Sequence, residues 1–226
     1  MSEREAARNA ALSGTGPKRP VPPLVLGIAG CTCSGKSTLA IELARELHGT
    51  HFPMDHYYRD LAHLPEAERP RQNFDDPELI ERPLLAAQVA ALARGEAIGR
   101  QVFDFSRHMR MPGRTETIEP GAVLIVEGLF ALYYPELRPF YHLRIYVDAP
   151  DAVCFERRLR RDMEERGRTE EWVRRQYEAT VRPASVNYVR PSAVHADLII
   201  DGTGALDWKV EQVVAELRRR GLLAGR

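Results

Sequence analysis

The chain has 226 residues, with 32 basic and 32 acidic side chains, so its formal net charge at pH 7 is zero. This length allows one domain with a sizeable hydrophobic core, and the balanced charge gives no reason to expect binding to nucleic acid or to an acidic membrane. No apolar run reaches the ~18 residues that a transmembrane helix needs.

The first residues, 1–20, are rich in small and polar side chains and include acidic residues without an apolar centre. This composition does not match a secretory signal, and we expect a disordered tail followed by a single domain over residues 21–226. The chain has three cysteines, an odd number that fits a reducing cytoplasm better than a disulfide framework.

The apolar run Pro23–Gly30 predicts a buried parallel strand. The next segment, 36–49, carries apolar residues at helical spacing and stops at a glycine, which predicts a helix. Strand, glycine-rich turn and helix therefore occur in that order.

A second strand before Asp55 would have few residues, and Pro53 would interrupt its ladder of hydrogen bonds.

Asp76–Gly95 predicts a helix that Asp76 opens, with Pro77 in its first position. Pro83 should kink this helix or mark a later start. The segments "IGRQVFDFS" and "TETIEPG" predict a small β-hairpin, an excursion from the main sheet.

Three further buried strands are predicted at Ala122–Gly128, His142–Ala149 and Asp197–Gly202. Helices are predicted over about 150–166, 170–189 and 206–222. This alternation predicts an α/β fold in which helices cover both faces of a parallel sheet.

The segment from Gly30 to Ser37 fits the phosphate-binding pattern G-x-x-x-x-G-K-[ST]. Its glycines allow successive backbone N–H groups to face one anion, and the following helix adds its positive N-terminal end. Lys36 is expected to reach the β- and γ-phosphates, and the Ser37 hydroxyl is expected to ligate Mg²⁺. The predicted ATP-binding residues of this loop are Gly30, Cys31, Thr32, Cys33, Ser34, Gly35, Lys36, Ser37 and Thr38.

A phosphate-binding loop alone leaves GTPases, ATPase motors and small-molecule kinases open. No N-K-x-D run for guanine recognition occurs, and the strand "LIVEG" ends in the single acid Glu127 rather than in consecutive acids. Cys31 and Cys33 lack the further ligands that a metal site needs, so we interpret them as small loop residues. The pattern therefore favours a kinase that acts on a small polar acceptor.

From Leu24 to Ile200 the chain resembles the uridine kinase (uridine–cytidine kinase) family. The resemblance is carried by "MDHYY", "NFDDP", "FDFSRHMR", "LIVEGLFALYYPELR", "IYVDAPDAVCFERRLRRDMEERGR", "QYEATVRP" and "ADLIID". It implies a P-loop NTPase-type three-layer sandwich with a helical lid, arginine-rich over about 156–178. It also implies ATP or GTP as phosphate donor, Mg²⁺, a pyrimidine ribonucleoside as acceptor and a homo-oligomer, a tetramer.

The resemblance assigns Asp55 to the acceptor hydroxyl, as a base that also contacts the metal, and Glu127 to the Mg²⁺ site. Catalytic roles therefore fall to Asp55, Lys36 and Arg161, and metal contacts to Ser37, Asp55 and Glu127. Asp75 matches the family's ribose-binding aspartate, whose carboxylate can accept from both vicinal hydroxyls. The alternatives are a capping aspartate for Asp55 and a buried, satisfied acid for Glu127.

The same resemblance places an aromatic wall and a lid around the substrates. Arg161 and Arg166 resemble lid residues on the ATP phosphates. Tyr58, Phe74, Phe103, Phe105, His108, Arg158, Arg168 and Gln176 resemble substrate contacts. The alternative for an aromatic residue is core packing, and for the arginines a solvated helix face, which we favour for Arg157, Arg160, Arg174 and Arg175.

One position departs from the family pattern, because Phe103 stands where the family commonly has tyrosine. This loss of a hydroxyl affects base recognition rather than phosphoryl transfer. Two other readings remain open: a related kinase for nicotinamide riboside, pantothenate or ribulose phosphate, and a nucleotide-binding regulator without catalysis.

Overall fold

The computed structural model describes residues 21–224, so the expected tail at 1–20 lies outside the described residues. The strands are β1 (Leu24–Gly30), β2 (Thr50–Pro53), β3 (Ile98–Asp104), β4 (Met109–Ile118), β5 (Val123–Glu127), β6 (Leu143–Asp148) and β7 (Leu198–Asp201). The main helices are α1 (Lys36–Glu46), α2 (Arg82–Ala93), α3 (Asp151–Glu164), α4 (Glu170–Gln176) and α5 (Leu206–Arg219). None of the helices described in this range is long and apolar enough to cross a membrane.

Five of the strands form one parallel sheet in the order β2-β5-β1-β6-β7. Strand β1 lies at its centre, and its side chains alternate between two cores because successive residues face opposite sides of a strand. Val25 packs in the core that contains Leu85 and Val89 of α2. Leu26 packs in the core that contains Leu43 of α1 and Val213 of α5. The prediction of a parallel sheet between two helical layers is therefore confirmed.

The second strand forms despite its short length and its proline. β2 pairs only with β5 in the described sheet, and Pro53 is its last residue, opposite Glu127. At the end of an outer strand a missing N–H costs little, because no further ladder bond depends on it. The chain then enters a 3₁₀ turn, Met54–Tyr57, which carries Asp55 to the carboxyl edge of the sheet.

The predicted helix over Asp76–Gly95 is wrong in its first part. Asp76 caps only a 3₁₀ turn, accepting from the Glu78 N–H at 2.9 Å, and the chain is then extended at Ile80. Ile80 forms an isolated antiparallel bridge with Tyr58, which draws this segment away from a helical path. Helix α2 starts only at Arg82, with Pro83 in its first turn, where a missing N–H is tolerated, so the later start that Pro83 indicated is confirmed.

The predicted hairpin is confirmed as the antiparallel pair of β3 and β4, although β4 begins earlier than predicted, at Met109. The predicted helix over 170–189 is not a regular α-helix throughout. After α4 the chain runs through π-helical turns at Tyr177–Val181 and Ser185–Val189 and ends in a 3₁₀ turn, Arg190–His195. Pro183 lies between the π turns, where it lacks an N–H and its ring crowds the preceding turn.

Candidate active site

The loop that carries the predicted phosphate-binding pattern, called the phosphate-binding loop below, connects β1 to α1, and both of its motif glycines are required by geometry. A Cβ atom at Gly30 would lie 2.5 Å from the carbonyl oxygen of Val147. Gly35, immediately before α1, has φ of 100°, which other residues rarely adopt. Lys36 and Ser37 therefore open the helix at the point where its positive end is exposed.

The back of this loop is held by two basic residues. Arg157 Nη1 donates to the carbonyl oxygens of Cys33 at 3.3 Å and of Gly202 at 3.2 Å. Lys209 is buried, with its Nζ 3.5 Å from the same Gly202 oxygen. The interpretation of Arg157 as part of a solvated helix face is therefore wrong, since it braces the loop.

The cysteine at the start of the loop is packed in the interior. Cys31 is buried, with its sulfur 2.9 Å from the Ser185 hydroxyl and 3.7 Å from the Tyr146 hydroxyl. Cys33 is partly exposed and accepts a long contact from Thr32. Neither environment supplies metal ligands.

A cavity of about 770 Å³ lies over the loop, beside the β3–β4 hairpin and helices α3 and α4. It brings together these predicted residues: Thr32, Lys36, Ser37, Asp55, Tyr58, Phe74, Asp75, Phe103, Phe105, His108, Arg158, Arg161, Arg166, Arg168 and Gln176. It is also lined by residues that the sequence analysis did not single out: Pro70, Ser106, Leu129, Asp162, Glu165 and Trp172. The remaining predicted positions, Gly30, Cys31, Cys33, Ser34, Gly35, Thr38 and Glu127, do not line it.

Glu127 lies beneath the cavity floor and is connected to it through a hydroxyl. Ser37 Oγ donates to Glu127 Oε2 at 3.1 Å, and His51 Nε2 lies 3.4 Å from Oε1. Burial opposes ionisation of Glu127, but the contact with His51, the charge of Lys36 and the Ser37 hydrogen bond outweigh it and lower its pKa. Glu127 is therefore an ionised carboxylate beside the phosphate-binding loop.

Asp55 faces the cavity and shares its floor with Lys36. Solvent reaches the side chain through the cleft, but the surrounding protein disfavours its ionised form, and Glu127 adds charge repulsion. Together these effects raise the pKa of Asp55 to about 6, against an attraction from Lys36. Such a carboxylate is largely ionised at pH 7 and is more basic than an ordinary aspartate.

The second cavity aspartate, Asp75, is buried. Burial raises its pKa, while the charges of Arg158 and Lys36 act in the opposite direction. Its backbone is fixed by the side chain of Asn73, which accepts from the Asp75 N–H at 3.1 Å. A buried carboxylate at a cavity wall gains from hydrogen-bond donors on a ligand, because each donor offsets its lost hydration.

Aromatic rings form one wall of the cavity. Phe74 packs against His108 with ring centres 4.8 Å apart, and Tyr58 meets Phe74 edge-on at 5.0 Å while its hydroxyl donates to the Phe74 carbonyl. Phe103 is only 3% exposed, whereas Phe105 is 47% exposed. Burial and the charges of nearby arginines lower the pKa of His108, which favours the neutral form of its ring.

The arginines of the opposite wall converge on Asp162, which is 1% exposed. Asp162 accepts from Arg161 Nε at 2.9 Å, and it also pairs with Arg166 at 3.3 Å and with Arg158 at 3.5 Å. The sequence contains the spacing that predicts these ion pairs, since Asp162 follows Arg161 directly and lies four residues from both Arg158 and Arg166. The sequence analysis did not single out Asp162 because the surrounding segment contains many charged residues of both signs.

Arg158 connects the arginine wall, formed by Arg158, Arg161 and Arg166, to the phosphate-binding loop and to helix α4. Its Nη1 donates to the Thr32 hydroxyl at 3.2 Å and its Nη2 to Gln176 Oε1 at 2.9 Å. Arg168 instead stacks over the ring of Trp172, 4.2 Å from its centre. Contacts within the protein thus hold these guanidinium groups around the cavity.

Comparison with known proteins matches nearly all of the described chain. The model of the family described as "Phosphoribulokinase / Uridine kinase family" matches residues 25–208. Uridine kinase from Chloroflexus aggregans is 40% identical over 198 residues, covering 86% of this chain and 94% of that protein. Uridine kinase from Escherichia coli K12 is also 40% identical, over 188 residues, 80% of this chain and 88% of that protein. The solved structure of D-glycerate 3-kinase from Cryptococcus neoformans shares the fold, with a TM-score of 0.56 and 15% identity over 84% of this chain and 86% of that one.

Proposed function

The chain belongs to the phosphoribulokinase/uridine kinase family, and we propose that it is a nucleoside kinase that transfers the terminal phosphoryl group of ATP to uridine or cytidine. The acceptor atom in this proposal is the 5′-hydroxyl of the ribose. The observation that carries the proposal is the single cavity that holds Lys36 and Ser37 of the phosphate-binding loop together with Asp55 and Asp75. A phosphate donor and a hydroxylic acceptor can therefore meet in one place.

The proposed reaction places the donor phosphates on the loop and the acceptor hydroxyl at Asp55. The loop N–H groups and Lys36 hold the phosphates and stabilise the charge that spreads over the transferred group. Asp55, with its pKa of about 6, orients the hydroxyl and accepts its proton as the new bond forms. Positioning and charge stabilisation supply most of the rate in such a transfer.

The proposed metal is Mg²⁺, and the residues at the loop fit it. The Ser37 hydroxyl and the Glu127 carboxylate are already in contact, and the charges of Glu127 and Asp55 repel each other. A divalent cation would relieve that repulsion. Within residues 21–224 no group of three or more His, Cys, Asp or Glu side chains could hold a metal by itself. Mg²⁺ commonly uses one or two carboxylates with substrate phosphates and waters, and when bound it would neutralise phosphate charge.

Recognition of the sugar is proposed for Asp75, which would accept from the two vicinal hydroxyls of a ribose. Its burial makes this interaction selective, because a deoxyribose would leave part of the carboxylate without a partner. The pyrimidine would lie against Phe74 and His108. A neutral His108 has one donor and one acceptor nitrogen, which suits the edge of uracil or, in the other tautomer, of cytosine.

The arginine wall is proposed to act on the donor phosphates. Arg161 and Arg166 are both held by Asp162 at the cavity. Guanidinium groups held in this way can stabilise the equatorial oxygens of the transferred group without further ordering at the moment of reaction.

We also propose a cytoplasmic homotetramer, on the family resemblance alone. Sedimentation of the purified protein tests the assembly.

An acceptor panel tests the proposed substrate. Uridine, cytidine, nicotinamide riboside, pantothenate and ribulose 5-phosphate would each be offered with Mg²⁺ and either ATP or GTP, and product would be quantified by chromatography. The proposal predicts the highest kcat/KM for uridine or cytidine. Preference for another acceptor would reassign the protein within the family, and absence of turnover with every acceptor would favour a regulator.

A further inference from the structure

Trp172 lines the reaction cleft in the first turn of helix α4, although the proposed reaction gives it no role. Its ring packs against the guanidinium of Arg168, whose Cζ lies 4.2 Å from the ring centre. Arg168 lines the same cleft, as does His108 in the turn between β3 and β4. Trp172 and Arg168 therefore share a cavity with the residue that is proposed to recognise the pyrimidine.

Backbone hydrogen bonds fix both members of this pair at the junction of α3 and α4. The Arg168 N–H donates to the carbonyl oxygen of Asp162, in α3, at 3.0 Å. Thr169 caps α4, and its hydroxyl accepts from the Trp172 N–H at 3.3 Å. The contact between ring and guanidinium therefore joins two side chains whose backbone positions are already set.

Arg168 differs from the arginine wall in what holds its side chain. Every member of that wall pairs with Asp162, which occupies part of its N–H donors. In the part of the chain that the structure describes, the Arg168 side chain has neither an ion pair nor a hydrogen bond to protein. Stacking uses the face of a guanidinium and leaves its in-plane N–H groups available. Trp172 therefore restrains Arg168 without occupying the donors that a ligand would need.

Arg168 lies at the end of the cleft where the pyrimidine is proposed to bind. Its charge is one of those that lower the pKa of His108, so the guanidinium and the imidazole are close to each other. Phe105 and Ser106, from the same turn as His108, also line this cavity. Uracil and cytosine both carry a ring carbonyl oxygen, an acceptor that a guanidinium N–H can meet in either base.

We propose that Trp172 is a positioning residue for the acceptor nucleoside, because it holds the guanidinium of Arg168 where it donates to the pyrimidine. This inference rests on the proposed function and extends it to a residue that acts through another. An unrestrained arginine side chain populates many rotamers, and stacking reduces the conformational freedom that is lost on binding. Loss of the ring should therefore weaken nucleoside binding with little effect on kcat, since the contact is the same in the ground state and in the transition state.

Two substitutions at position 172 separate the aromatic face from the apolar bulk. Trp172→Leu keeps an apolar side chain without a π face, whereas Trp172→Phe keeps an aromatic face. We expect Trp172→Leu to raise the KM and the calorimetric Kd for uridine about fivefold or more, with kcat and the KM for ATP within about twofold of wild type. Trp172→Phe should regain most of the lost affinity. If Trp172→Leu fails to fold, Trp172→Gln replaces it, because the position is partly exposed.

The matched control is Trp208→Phe, which changes the other tryptophan of the chain. Trp208 is 43% exposed in α5 and does not line the cleft. This substitution should change neither uridine binding nor either KM. An equal loss of uridine affinity in Trp208→Phe would contradict a specific role for Trp172.

A double-mutant cycle tests whether Trp172 acts through Arg168. Calorimetry would give the uridine affinity of Arg168→Ala, of Trp172→Leu and of the variant that carries both. We expect the double variant to bind uridine as Arg168→Ala does, within about twofold, because the ring then has no guanidinium to hold. Additive losses would contradict the proposal, since Trp172 would then act independently of Arg168.

Uridine binding to the wild-type protein separates this inference from the proposed function. If the wild type binds uridine and folded Trp172→Leu binds it equally well, the inference alone is refuted. If the wild type does not bind uridine, the proposed function is refuted and the inference with it.

Discussion

Ser37 donates a 3.1 Å hydrogen bond to Glu127, joining the first turn of α1 to the end of the neighbouring strand β5. The contact follows from sheet order, because β5 pairs with β1 and Glu127 lies opposite Ile28 in register. The residue proposed to hold the metal and the carboxylate beneath it are thereby fixed relative to the phosphate-binding loop. The proposed reaction centre is thus positioned by the pairing of β1 with β5.

The base assigned to the transfer is Asp55, and Asp55→Asn separates catalysis from binding. We expect kcat to fall at least a hundredfold with little change in nucleoside affinity, because the lost interaction matters mainly in the transition state. Steady-state kinetics and calorimetric uridine binding would measure the two effects. An unchanged kcat with a raised KM would reassign Asp55 to substrate binding.

The same substitution should stabilise the protein without ligands. The folded pKa of Asp55, about 6, lies above its ordinary value of 3.8, so ionisation destabilises the folded state. The gain in the free energy of unfolding that Asn brings should therefore be absent below pH 4, grow between pH 4 and 6 and persist above pH 6. We expect no more than about 1 kcal/mol, because solvent in the cleft screens the carboxylate. Urea unfolding without Mg²⁺ or nucleotide checks this, and an advantage confined to acid pH would contradict it.

Asp162 is expected to hold the arginines of the arginine wall in position for the donor phosphates. Asp162→Asn removes the buried charge that holds Arg158, Arg161 and Arg166, so KM for ATP should rise and kcat should fall by about tenfold or more. Asp207→Asn, at an exposed position in α5, is the matched control and should change neither quantity. Normal ATP kinetics in folded Asp162→Asn would show that the arginines do not need this anchor.

Base recognition is expected to depend on His108 more than on Phe103. Phe103→Tyr restores a hydroxyl at the cavity wall, and one neutral hydrogen bond is worth about 0.5–1.5 kcal/mol, so kcat/KM should rise roughly three- to tenfold for uridine or cytidine. His108→Ala should cost more than this for both nucleosides. If Phe103→Tyr changes kcat/KM for neither nucleoside, or if His108→Ala leaves both values unchanged, the base is recognised elsewhere.

The sequence predicted the strand, glycine turn and helix around the phosphate-binding motif well, because their requirements are local. A strand, two glycines and a helix start follow one another along the chain, so Lys36 and Ser37 could be placed from spacing alone. The β2 strand and the late start of α2 were harder, because both depend on pairing partners distant in sequence.

Features that depend on tertiary contact were missed. Arg157 and Asp162 lie in a run of mixed charges, and only packing distinguishes them from their solvated neighbours.

The most direct test is the fate of the donor phosphate in the wild-type protein and in Lys36→Ala. Phosphorus NMR of a reaction with uridine, ATP and Mg²⁺ would follow product formation and locate the new phosphate on the ribose. We predict stoichiometric conversion of ATP and uridine to ADP and 5′-UMP, with kcat/KM lowered about a thousandfold or more in folded Lys36→Ala. Phosphate released to water, phosphate on another hydroxyl, or more than about a tenth of the activity remaining in Lys36→Ala would contradict the proposed reaction.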